Sequence, residues 1–318
     1  MDDWTRKFYR IDQLKDPDPL VRREIAQMLY NNVANGSDIY AKEFVEALED
    51  PDPRVRMLMA DIFAERARNR EDIKEALPAL AKALGDEKAF VRKSASEAIV
   101  IATGNASVGF EPVVDALIKA LKDDDKTVKK NAAEAFCSYR YCPDKHIAVI
   151  GALNRARHDE EIRYFSIWAL SNISETCRHV LIDSEIFLEH VFDKDETVAV
   201  GAMEAVARAY IGSIDFERTQ MVMGEAVKRN PGVGLGAAMA YARLCNNLGK
   251  DVDLEKVKEW MTQAVRKKPG LRRAAAKAYA RVCEKLREQR QKIDMPGEVL
   301  KARPKPPKRT FRMGRAYA

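Results

Sequence analysis

DPDPLVRREIAQML at 16–29, DPDPRVRMLMADIF at 50–63 and DEKAFVRKSASEAI at 86–99 are three copies of one sentence. An acidic turn leads to an aliphatic residue, a basic residue and an alanine-containing helix. The pattern continues as DDDKTVKKNAAEAF at 123–136, HDEEIRYFSIWAL at 158–170 and DKDETVAVGAMEAV at 193–206. Two copies with altered turns follow, NPGVGLGAAMAYARL at 230–244 and KPGLRRAAAKAYARV at 268–282. The first aliphatic residue in register serves as an anchor: Val21, Val55, Val91, Val128, Ile162, Val198, Val233 and Leu271. Successive anchors are 34, 36, 37, 34, 36, 35 and 38 residues apart. A nearly fixed period of this size is the mark of stacked supersecondary units, each burying its apolar face on its neighbours.

Each anchor sits near the start of a second helix. Asp18 before Pro19 and Asp52 before Pro53 read as an N-cap followed by proline at the first helical position. The carboxylate accepts from orphan backbone donors, and proline has no donor to lose. First helices are expected over 39–49, 73–84, 111–122 and 254–267, where apolar residues such as Val113, Val114, Leu117, Ile118 and Leu121 recur at helical spacing. Small residues stand five places after most anchors (Ala26, Ala60, Ser96, Ala133, Ala238, Ala276) and should let neighbouring helices approach closely. In two copies Ile167 and Met203 stand there, and the small residue falls one place earlier, at Ser166 and Ala202.

The period and the paired helices, with a second helix of D-x-x-x-x-V-R-x-x-A-A-x-A-L type, resemble HEAT repeats. The closest flavour is the short HEAT-like repeat of phycobilin lyases. The last two copies, with Asn-Pro-Gly and Lys-Pro-Gly turns, also resemble tetratricopeptide repeats. The resemblance implies an all-α, right-handed superhelical solenoid of about eight antiparallel helix pairs. It also implies that second helices line the inner side, and that the chain works as a scaffold or adaptor. The solenoid is expected over residues 1–292, followed by a basic, Pro-containing and flexible tail at 293–318.

Composition agrees. Of 318 residues, 46% are hydrophobic and 33% charged, enough for a folded core. The net charge of +6 conceals a polarity. Residues 301–318 hold seven Lys or Arg and no acid, and residues 264–292 hold eleven against two Glu, so the chain before 264 is net acidic. The amino terminus, with Asp2 and Asp3, has no signal-peptide pattern, and no apolar stretch approaches membrane-spanning length. The chain is therefore expected to be soluble and cytoplasmic. Five cysteines at irregular spacing suggest incidental thiols.

No chemistry stands out. His146, His158, His179 and His190 precede Ile, Asp, Val and Val, so the His-Glu ligand pairs of the iron hydroxylases built on similar repeats are missing. Gly232, Gly234 and Gly236 follow no strand, which speaks against a dinucleotide fingerprint. A phycobilin-lyase-like or DNA-glycosylase-like enzyme is the least favoured reading. Neither a metal nor a cofactor is expected.

Offsets 0, 4, 7, 8 and 11 from each anchor cluster on one side of the second helix, and offsets 2 and 6 lie opposite. Along those two rows, repeats five to seven turn apolar: Tyr164, Trp168, Val200, Leu235 and Met239. These five are candidate contacts for a protein partner; burial by the chain itself, including its tail, is the competing reading. Arg273, Lys277, Lys301, Arg303, Lys305, Lys308, Arg309, Arg312 and Arg315 form a candidate basic contact. Phe311 and Tyr317 could stack on bases, so a nucleic acid, including ribosomal RNA, is a second partner class.

Overall fold

The acidic turns start the long helices as their sequences require. In the computed structural model, which describes residues 9–37, 40, 42–105, 109–139, 144–176, 182–208 and 215–293 (side chains as far as 287), Asp18 and Asp52 accept from the amides of Leu20 and Arg54. Proline occupies the first turn of both helices. Asp125 caps its helix through Thr127 and Val128.

The eight anchors all lie on or at the start of such long segments. In chain order these are α1 (Pro19–Ala34), α3 (Pro53–Arg68), α5 (Ala89–Gly104), α7 (Lys126–Cys137), α9 (Arg163–Thr176), α11 (Glu196–Arg208), α13 (Gly234–Asn247) and α15 (Arg272–Ile293). Between them stand α2 (Lys42–Ala47), α4 (Leu77–Ala83), α6 (Val114–Ala120), α8 (His146–Ala156), α10 (Glu185–Leu188), α12 (Phe216–Arg229) and α14 (Leu254–Lys267). A 3-10 helix at Ile11–Lys15 takes the place of a first helix in repeat one. Each odd helix packs on the next odd one from α1 to α15, so the odd helices form one layer and the even helices another. The chain is an all-α repeat solenoid.

The even helices correct the sequence reading in repeats two to four. The helix expected over 73–84 is a 3-10 turn at Lys74–Ala76 followed by α4, and that expected over 111–122 contracts to α6. Pro78 sits in the first turn of α4, and i→i+3 bonds at Gly85 and Asp86 tighten its end. Only α14 keeps its full expected span, Leu254–Lys267.

The buried offsets came out as the period dictates. Val55, Met59, Ile62 and Phe63 are fully buried, as are the small residues Ala26, Ala60, Ala133 and Ala238. Ile167 and Met203 are equally buried, beside Ser166 and Ala202. Ala276 departs from the rule and is exposed, because no further repeat among the described residues covers α15.

The residue after each anchor ties the units together. The Arg22 guanidinium donates to both carboxylate oxygens of Asp50, at 2.7 and 3.0 Å, in the turn of the next repeat. Its remaining nitrogen donates to the carbonyls of Asp16 and Pro17 in its own turn. Arg56 does the same to Asp86, and Arg92 to Asp123. Lys129 meets Asp159 at 2.8 Å and Arg163 meets Asp193 at 2.6 Å. The acceptor aspartate also takes the amide two residues on, as Asp50 takes that of Asp52. Five rungs thus run from repeat one to repeat six. They end there, because the next two positions are Ala199 and Gly234.

Candidate functional site

Three rows of side chains stand on the outward side of the odd helices: those two, six and ten residues after each anchor. The row at offset ten adds Glu65, Arg208, Arg243 and Arg281. In repeats two to four the rows are charged, with Asp61, Glu65, Glu97 and Glu134 beside Lys93 and Lys130. Arg68 grips both Glu65 and Glu97. Burial pushes the Asp61 carboxyl above the usual carboxylate range, against an opposing hydrogen bond from Ser94. Lys93 pairs with Asp125 at 2.9 Å.

Repeats five to seven carry the aromatic stretch. Tyr164 and Trp168 stack with centroids 6.4 Å apart and planes 16° from parallel. The Arg208 guanidinium lies 4.8 Å over the Trp168 ring, a cation–π arrangement that covers one face of the indole. Arg208 also donates to Asn172 at 3.2 Å and meets Glu175 at 3.3 Å. Arg243 meets Glu204, at 3.3 Å. Glycine makes the close packing possible. A Cβ on Gly236 would fall 2.5 Å from Val200, and one on Gly201 would touch the Tyr164 ring at 3.7 Å.

All five apolar candidates, Tyr164, Trp168, Val200, Leu235 and Met239, are half-buried. Neighbouring repeats cover one side of each and leave the other open, which falls between the two expectations. Tyr164 and Trp168 are in direct contact, and Met239 lines a separate cleft of about 250 Å³ between α13 and α15 with Arg243, Arg281, Lys285 and Leu286. Arg273 and Lys277 are exposed on α15. Lys301, Arg303, Lys305, Lys308, Arg309, Arg312 and Arg315 lie outside the described residues. Sequence reasoning stopped at offset six and so missed Arg208, Arg243 and Arg281. All three stand ten residues after an anchor, one turn beyond the row already drawn.

Nucleophile chemistry finds little support among the described residues. Burial pushes the Cys137 thiol up to about 12, so it stays protonated at neutral pH. Cys245 is buried beside Tyr241 and is likewise raised by burial. No group of three His, Cys, Asp or Glu is gathered as a metal site among the described residues. No helix among them is long and apolar enough to cross a membrane.

No protein-family model matches the chain, and no curated protein matches it either. Solved structures do. A computationally designed armadillo repeat protein for modular peptide recognition is 21% identical, with a TM-score of 0.49, over 63% of this chain and 98% of its own. A designed armadillo repeat protein in complex with the peptide (KR)4 is 21% identical, with a TM-score of 0.44, over 69% and 96%. The Escherichia coli protein YibA is 19% identical, with a TM-score of 0.46, over 84% and 93%. With its two layers of stacked helices and its fixed period, the chain is a helical-repeat protein.

Proposed function

We propose that this protein is a non-enzymatic scaffold that holds a polypeptide partner against the outward side of its odd helices, with repeats five to eight as the principal contact. The observation that carries this reading is the half-buried stripe of Tyr164, Trp168, Val200, Leu235 and Met239, bordered by Arg208 and Arg243. Rigid aromatic side chains presented on a helix layer make contact area at small entropic cost. The stripe faces a surface instead of closing a pocket, which suits an extended ligand. The tail at 293–318 adds electrostatic attraction in this reading. Repeats one to six, with mostly short even helices, fit the short HEAT-like type. Repeats seven and eight, with 14-residue α12 and α14, fit the tetratricopeptide-like type.

Selection from a random-peptide display library on the full chain tests this. Recovered peptides should lose binding to a Y164A/W168A variant and keep it to M221A, which changes an exposed methionine on the even-helix layer. Peptides that ignore the first variant and require Met221 would place the contact on the other layer.

A further inference from the structure

The last helix breaks the charge economy of the rest of the solenoid. Six upstream arginines are spoken for: Arg22, Arg56, Arg92 and Arg163 bind turn carboxylates, and Arg208 and Arg243 are held by Glu175 and Glu204. On α15, Arg273, Lys277, Arg281 and Lys285 follow one another at four-residue intervals. That spacing puts them along one side of the helix. All four are exposed, and among the described residues none is paired with a carboxylate. Like charges four residues apart weaken a helix, so the stripe is a standing cost that an anionic ligand would remove.

The stripe ends at an apolar cleft. Arg281 and Lys285 form one lip, and Arg243 and Glu204 form the other. The floor is Met239, Val252, Val282 and Leu286, and the space of about 250 Å³ admits one large aliphatic or aromatic side chain. We propose that this cleft and stripe dock an acidic polypeptide segment, with one bulky apolar residue between Met239 and Leu286 and flanking carboxylates on Arg281, Lys285, Lys277 and Arg273. The proposal rests on the polypeptide-scaffold reading and names the partner's chemistry. An acidic peptide satisfies both halves of the site. A nucleic-acid backbone would meet the cations but leave the apolar floor unfilled.

The test is fluorescence anisotropy with the full chain and three labelled probes: a short peptide of alternating Glu and Asp around a central leucine, the same peptide with serine in the centre, and a single-stranded oligonucleotide of equal charge. The leucine peptide should bind tightest. Serine should weaken it about tenfold, the loss of one buried leucine side chain. R281E/K285E should weaken the leucine peptide about tenfold or more and flatten the salt dependence of its binding. If circular dichroism shows that variant misfolded, R273E/K277E, farther from the cleft, should still give a smaller loss. Equal binding of the serine and leucine probes, tighter binding of the oligonucleotide, or indifference to both charge reversals each overturns the proposal. The two readings fail separately. Library peptides that need Trp168 but show no acidic bias and ignore R281E/K285E would sink this inference and leave the scaffold standing. Leucine-probe binding that depends on Arg281 while Y164A/W168A changes nothing in the library selection would do the reverse.

Discussion

Repeats one to five and repeats seven and eight stack the same kind of helix with different fastenings. In the first group, even helices are mostly short and a half-buried cation reaches from each unit into the acidic turn of the next. Arg56 and Asp86 have side chains only 12% and 8% exposed. In the second group, even helices run to 14 residues, the turns read Asn-Pro-Gly and Lys-Pro-Gly, and the units join by apolar contact and close backbone approach. Trp260 sits under α13, and its carbonyl stands where a Cβ on Gly234 would go. The ion pairs found there are more exposed: Lys268 with Glu196 at 49% and 32%, and Arg243 with Glu204 at 43% and 19%. Where the outer helix is too short to supply area, charge and hydrogen bonds hold the units in register. Where it is long enough, packing suffices.

Acid should separate the two groups most. Burial alone would raise the Asp86 carboxyl, but hydrogen bonds from Arg56 and the Lys88 amide outweigh it and hold the group below its usual range. Asp52 with Arg23 and Asp159 with Lys129 are lowered against burial in the same way. A depressed carboxylate contributes stability that is complete above its unfolded value and is lost as pH falls through its folded one. Below about pH 4 the ladder half should therefore loosen before α13 and α14. Asp61, raised by burial, works in the opposite sense but alone. Hydrogen exchange read by mass spectrometry resolves the order. Simultaneous loss of protection in both halves would break the comparison.

Single substitutions sharpen it. Arg56→Met removes a rung and strands Asp86 together with two turn carbonyls. The expected loss is about 2–3 kcal/mol in urea unfolding. Gly234→Ala drives a methyl into the backbone of α14 and should cost about 1–3 kcal/mol. Gly104→Ala, where an added Cβ meets nothing, should be neutral or stabilising by up to about 1 kcal/mol. Asp52→Ala should cost about 1–2 kcal/mol, more than Asp18→Ala, since Asp52 both caps α3 and accepts from Arg23 at 2.5 Å. Lys268→Ala should change stability by less than about 0.5 kcal/mol, as exposed pairs do. A Lys268 effect as large as that of Arg56 would show that exposure does not set the value of these pairs.

Much of this architecture is legible in the chain. The period locates all eight long helices, Asp18 and Asp52 announce their caps, and the buried offsets follow from helical geometry. The length of the even helices is not legible, because apolar spacing over 73–84 and 111–122 is the same whether the residues form a full helix or a shortened one between tightened turns. The rungs were half visible. A basic residue after each anchor and an acid in the following turn both recur, but only the stacked structure shows Arg22 reaching Asp50 instead of solvent. The half-burial of Tyr164 and Val200 depends on what stands opposite in the next unit, Gly201 and Gly236, and a reading of one helix at a time does not contain it.

Each rung points one way. The arginine fastens its own turn through carbonyls and the following turn through a carboxylate, so every unit from the second to the fifth presents a cation forward and an aspartate backward, with Lys129 in place of arginine in the fourth. Copying residues 50–85 and inserting the copy after itself would leave an unbroken series of rungs, because Arg56 meets the aspartate of whichever unit comes next. Copying the sixth unit would not, since Ala199 has nothing to offer its successor. The fold thus carries a grammar for growth by duplication in its amino-terminal half and a full stop at repeat six.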